Sequence, residues 1–130
     1  MSAEHEFVSH FIRPDRQQAY LELLASPDRR RKFFGHLAKS CDLQPSVVEE
    51  LRDGCESAEC IAEVLRTKGA GETCYAISED AEIDGREVRL TEALQRVVAR
   101  GRATFLSCVP GVVGYYEGAD FEERLVLHKR

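Results

Sequence analysis

A thiol and an imidazole are the side chains in this sequence best suited to nucleophilic chemistry. Cys108 precedes a Val-Pro-Gly turn, where a thiol at a strand end can reach solvent, and His128 lies in the last predicted strand. If the sheet brings them together, the histidine could serve as the base for a cysteine nucleophile. Alternation along the strand places Cys108 on the same side as Thr104 and Leu106, which favours a buried packing role instead.

Four consecutive cations form the second candidate site. Arg29, Arg30, Arg31 and Lys32 fall in the first turns of a predicted helix, where the helix macrodipole disfavours positive charge. A phosphate or another small anion could dock on the free backbone N–H groups there, with the guanidinium groups around it. The alternative, which we favour, is a solvated face that pairs with the acidic remainder of the chain.

Two adjacent tyrosines near the C-terminus form the third candidate. Tyr115 and Tyr116 must point to opposite sides of a strand, so one can pack in the core while the other faces solvent, a ligand or a partner. We expect the segment 115–120 to form an exposed sheet edge, since open antiparallel sheets leave edges that invite pairing. This pattern predicts an interface anchor for a second copy or for another protein.

The sequence offers little support for a metal or cofactor site. Cys55 and Cys60 are separated by four residues, and His36 with Cys41 is another near pair, whereas structural zinc usually shows two compact ligand pairs. The acids between 79 and 84 lack the ligand order of an EF-hand and are expected to form a solvated turn. Nucleotide-loop, hydrolase-elbow and metalloprotease motifs are also missing, so no cofactor is expected.

Charge argues against nucleic acid as a partner. The region 45–65 has the outline of a helix-turn-helix, yet its acids outnumber its bases, and the whole chain carries a net charge of -5. Affinity for nucleic acid depends mainly on neutralising phosphates, so such a surface would be repelled.

Length and composition indicate one globular domain, residues 1–130. The chain has 43% hydrophobic residues and no apolar run long enough to cross a bilayer, and its N-terminus lacks the features of a signal peptide. Five cysteines, an odd number, favour free thiols in a reducing compartment. These features are typical of a small bacterial cytoplasmic protein that does not associate with membranes.

Proline and glycine positions divide the chain into two parts. Helices are predicted over 14–25, 27–39, 45–54 and 57–69, so about four helices occupy residues 6–69. Residues 72–130 are predicted to be rich in β structure, with strands at 73–78, 87–90, 103–109, 112–117 and 124–128 and a helix from 91 to 101. The fold class is therefore α+β, a helical N-terminal half packed on one face of a mostly antiparallel ββαβββ-like sheet.

Three functional hypotheses follow from these features. The leading one is a non-enzymatic interaction or regulatory module that uses the edge of its C-terminal sheet to form a homodimer or to bind a protein partner. The second is a protein that binds or converts a small anionic ligand at the cationic run. The third is an enzyme that depends on Cys108.

Overall fold

Local capping and proline positions set several helix boundaries in the computed structural model, which describes residues 2–51, 54–119 and 123–129. The Ser2 hydroxyl accepts a hydrogen bond from the His5 N–H, and Ser57 does the same for Cys60, so each serine caps a helix. The helices are α1 (Ala3–Phe11), α2 (Gln17–Leu24), α3 (Arg30–Leu37), α4 (Ala58–Thr67) and α5 (Leu90–Val97). The strands are β1 (Val48–Glu50), β2 (Thr73–Ser78), β3 (Arg86–Arg89), β4 (Thr104–Val109), β5 (Val113–Glu117) and β6 (Arg124–His128).

The strands form one antiparallel sheet in the order β1-β6-β5-β4-β2-β3. Hairpin turns join β2 to β3 and β4 to β5, and α5 crosses from β3 to β4, so the ββαβββ order of the C-terminal half is confirmed. The chain is thus an α+β protein with a helical N-terminal half and a C-terminal sheet.

Helices cover both faces of this sheet, and the prediction of a single covered face is wrong. Helices α1 to α3 pack on one face against inward side chains such as Phe105 and Tyr116, and we call this the α1–α3 face. Helices α4 and α5 pack on the other against Leu106 and Tyr115, and we call this the α4/α5 face. Since neighbouring strand residues point to opposite faces, a strand apolar at every position needs a helix layer on each side.

The predicted helix at 45–54 is also wrong. A 3₁₀ turn at Pro45–Val47 leads into β1, which pairs with β6 at the edge of the sheet. The β-branched Val48 suits this extended pairing better than a helix. The N-terminal half still has four α-helices among the described residues, because it contains α1, which was not predicted. Arg52 and Asp53, in the predicted helix at 45–54, lie outside the described residues.

Two of the five cysteines are joined. Cys55 and Cys60 form a disulfide across the start of α4, with their Cα atoms 5.4 Å apart, and the prediction of five free thiols is wrong for this pair. The cap at Ser57 folds the chain back so that Cys55 meets the first helical turn, within the Cα separation that a disulfide requires. Cys41, Cys74 and Cys108 carry free thiols.

Candidate functional site

A row of polar side chains crosses the sheet at one end. Ser78, Thr104, Glu117 and Arg124 lie opposite one another on β2, β4, β5 and β6, and we call them the polar row. The first three are buried, and the hydroxyl oxygens of Ser78 and Thr104 are 2.8 Å apart. Burying such groups is costly unless each has a hydrogen-bond partner, so the role of the polar row depends on the groups to which it is hydrogen-bonded.

Glu117 holds the backbone that follows α5. Its Oε1 accepts hydrogen bonds from the Ala99 N–H at 2.9 Å and the Tyr115 hydroxyl at 2.8 Å. Its Oε2 accepts from the N–H groups of Arg100 at 3.0 Å and Gly101 at 3.1 Å. Ala99 and Gly101 have positive φ angles of 61° and 69°, so this turn curls three successive N–H groups around one carboxylate. These hydrogen bonds to Glu117 therefore fix the backbone of the turn that carries Arg100.

Asp80 fixes a second arginine next to this turn. Its carboxylate receives two hydrogen bonds from Arg96, at 2.9 and 3.2 Å, and Arg96 also reaches Glu82 at 2.9 Å. The Asp80 N–H donates to the Ser78 hydroxyl at 3.0 Å, which ties the pair to the polar row. The bonds from Arg96 hold the pKa of the Asp80 carboxyl below its usual range, so this group stays ionised and the arginine stays oriented.

A solvent-open groove lies above these supports. It encloses about 600 Å³ and is lined by polar and charged side chains from the 80s turn, α5 and the segment after it, namely Asp80, Glu92, Gln95, Arg96, Arg100 and Arg102. We call it the arginine groove. In the described part of the chain, Arg100 and Arg102 form no ion pair, whereas Arg96 is already bonded to carboxylates. A cationic surface with two available guanidinium groups therefore stands out in a chain of net charge -5.

The cationic run of the second hypothesis does not form one site. Arg30 turns inward and makes two hydrogen bonds each to Glu4 and Asp84, at 2.7 to 3.0 Å, while its guanidinium group also lies over two phenylalanine rings. Arg29 and Arg31 are exposed. Successive residues of a helix point about 100° apart, so neighbours in sequence do not converge on one ligand. The acids at 79–84 are likewise not a fully solvated turn, because Asp80 is buried and Asp84 holds Arg30.

The geometry around Cys108 does not favour catalysis. Its half-buried side chain packs against the core of the α4/α5 face, on the side that strand alternation predicted. Desolvation raises the pKa of its thiol above the usual value, so the thiol stays protonated. His128 instead lies 3.1 Å from Glu49, whose carboxylate also bonds Lys68 at 2.8 Å. Among the described residues, no hydrogen bond joins Cys108 to His128.

The tyrosine pair is buried on both sides of the sheet. Tyr115 and Tyr116 point to opposite faces as predicted, but both are fully buried, and the expectation that one faces solvent is wrong. The Tyr116 hydroxyl donates to the Leu37 carbonyl at 2.6 Å. Strand β5 lies between β4 and β6 and is no sheet edge, so the predicted interface at these residues loses its structural basis. Asp120, at the end of that segment, lies outside the described residues.

Sequence reasoning missed the polar row and the arginine groove. Thr104 and Glu117 stand at the ends of predicted strands on the side of apolar neighbours, and this polar exception to a buried pattern was the available signal. Their contact with the turn at 99–101 and the approach of Asp80 to Arg96 depend on strand pairing across the sheet, which no local pattern specifies.

Comparisons of the chain with protein-family models, with curated proteins and with solved structures found no match. Within the described residues, none of the helices combines the length and apolar character needed to cross a membrane. The same residues contain no cluster of three or more His, Cys, Asp or Glu side chains suited to a metal ion. The function of this chain has therefore to be inferred from the geometry of the arginine groove.

Proposed function

We propose that this protein binds a small organic anion, a carboxylate or a phosphate ester, in the arginine groove. The observation that carries the proposal is the pair of guanidinium groups on Arg100 and Arg102, which line one groove and form no ion pair in the described part of the chain. Arginine presents a planar set of N–H donors that matches two oxygens of a carboxylate or phosphate. Such a pair provides charge and orientation together.

The support beneath the groove favours binding further. Glu117 fixes the backbone at Arg100 through three N–H bonds, and Asp80 fixes the side chain of Arg96. A ligand therefore meets a site whose frame is already ordered, which lowers the entropic cost of association. Only the side chains of Arg100 and Arg102 need to adjust.

The remaining lining groups restrict the ligand. A volume of about 600 Å³ lies within the range of small-molecule sites. Glu92 and Gln95 also line the groove, so an anion that carries a hydroxyl or amine group fits better than one without such a group. We propose binding alone and assign no reaction to the groove.

Calorimetry at low ionic strength with citrate and inorganic phosphate as probes tests this proposal. The variants Arg100→Gln and Arg102→Gln remove one charge each, and the matched control Arg31→Gln removes the same charge from the exposed cationic run. Each groove variant should lose about tenfold to a hundredfold in affinity, the effect of one charge-assisted hydrogen-bond set. The control should bind as the wild type does.

Three results would contradict the proposal. Unchanged affinity in an Arg100→Gln/Arg102→Gln double variant would show that the probes do not bind in the groove. Loss of affinity in Arg31→Gln alone would move the site to the cationic run on α3. If neither probe produces a heat of binding with the wild type, carboxylates and phosphates are not ligands of this protein.

A further inference from the structure

Strand β3 is an open edge of the sheet. It pairs with β2 on one side only, and the sheet ends beyond it. Arg86, Glu87 and Arg89 are exposed, and Val88 is half-buried. An edge strand of this kind carries unpaired backbone groups that another strand can engage.

The ladder with β2 defines which backbone groups are unpaired. The Leu90 N–H donates to the Glu72 carbonyl at 2.8 Å, and Val88 lies opposite Cys74 in the same register. Backbone groups of alternate strand residues point to opposite sides in the plane of the sheet, so those of Glu87 and Arg89 point away from β2. Arg89 is the N-cap of α5, so its carbonyl accepts the first hydrogen bond of that helix. The N–H of Arg89 and the N–H and carbonyl of Glu87 therefore remain for a partner strand.

From this arrangement we infer that β3 pairs with β3 of a second copy, antiparallel, about a two-fold axis at Val88. This register places Glu87 opposite Arg89 of the partner subunit, and symmetry repeats the pair. It also aligns the free Arg89 N–H with the Glu87 carbonyl of the other chain, so two equivalent backbone hydrogen bonds form. The two sheets then become one continuous sheet.

Charge disfavours the registers whose axis is shifted toward Glu87. An axis at Glu87 would set the two Glu87 carboxylates against each other. An axis between Glu87 and Val88 would set Arg86 opposite Arg89 of the partner subunit twice. Like charges directly opposite destabilise strand pairing, whereas opposite charges stabilise it. Pairing about Val88 alone matches both charges and hydrogen-bonding groups.

The local structure prepares Glu87 for this contact. The Thr73 hydroxyl donates to its Oε1 at 3.0 Å, which orients the carboxylate and leaves Oε2 available. Because β3 has four residues, the shared ladder is short and we expect a weak dimer whose population rises with concentration. The inferred interface still belongs to the C-terminal sheet, as the hypothesis of an interaction module expects. It lies on the open edge strand β3 and not on the buried strand β5.

Sedimentation velocity over a wide range of protein concentration tests the dimer. The variants Glu87→Arg and Arg89→Glu each turn two attractive pairs into repulsive ones and should weaken association about tenfold or more. The double variant Glu87→Arg/Arg89→Glu restores opposite charges and should recover the wild-type dimer. Arg86→Glu is the matched control, since it reverses a charge on the same strand without facing an opposite charge in this register.

A proline variant tests the backbone contribution when it is compared with Arg89→Ala, which removes the same charge but keeps the N–H. Arg89 has a φ of -66°, which proline adopts, and its N–H points away from β2, so Arg89→Pro removes no bond of the β2–β3 ladder. We expect this variant to keep its melting temperature and to lose the dimer. A wild type that stays monomeric at every concentration would overturn the inference. So would a dimer that neither the charge reversals nor the proline weakens.

Discussion

Replacement of Glu117 by glutamine measures how much the carboxylate beneath the groove contributes to stability. Glutamine keeps the shape but offers one oxygen in place of two. With its nitrogen at the Oε1 position, the Tyr115 hydroxyl can rotate to accept, and the Ala99 N–H is left without an acceptor. An unsatisfied buried donor costs roughly 1–3 kcal/mol, and loss of the charge weakens the bonds from Arg100 and Gly101 by about 1 kcal/mol each. The expected loss is therefore about 4 kcal/mol.

Urea unfolding followed by circular dichroism gives this free energy of unfolding directly. The variant Tyr115→Phe removes one of the four donors and leaves the Ala99 bond intact, so its loss should be about 1 kcal/mol. A loss below about 1 kcal/mol for Glu117→Gln would refute the reasoning, since it would mean that the turn at 99–101 does not need the carboxylate. If the turn loosens as expected, citrate binding in the groove should weaken in parallel.

Three further predictions follow from packing and titration. Gly114→Ala should destabilise the protein by about 2 kcal/mol or more in urea, because its Cβ would overlap the buried ring of Phe105. The matched change Gly71→Ala meets nothing within 4 Å and should be neutral. The pKa of Asp80 is lowered on folding, so its contribution is present above pH about 4 and disappears as the pH falls through the folded pKa. The urea midpoints of wild type and Asp80→Asn should therefore differ at neutral pH and converge in acid, and a constant difference would contradict this. Iodoacetamide should modify the exposed Cys41 well before the half-buried Cys108, whose pKa is raised by desolvation, and the reverse order in mass spectrometry of peptides would contradict this.

Local patterns were sufficient for much of the C-terminal half. The run 73–78 was predicted as a strand and forms β2 with the same bounds, and the turn at Pro110 and Gly111 joins β4 to β5 as expected. Alternation and turn chemistry are properties of neighbouring residues, so the sequence displays them directly. The same holds for the opposed directions of Tyr115 and Tyr116.

Helices near the N-terminus show where local patterns fail. The apolar spacing around Val47 and Val48 also fits an amphipathic helix, and the pairing of Val48 with β6 decides for the strand. The helix α1 was missed, although Ser2 caps it and its aromatic side chains pack on Phe105. In both cases the deciding partner lies far away in sequence.

The sequence by itself determined the α+β class, the strands that alternate and the turns between them, because each depends on residues within a few positions of one another. Tertiary structure alone decided that β5 is central and β3 is an edge, which buries the tyrosines and exposes Glu87. It also decided that Glu117 accepts hydrogen bonds from the turn after α5 and that Arg30 forms ion pairs with Glu4 and Asp84. These outcomes follow from strand order and long-range pairing, whose energy comes from contacts between distant segments of the chain.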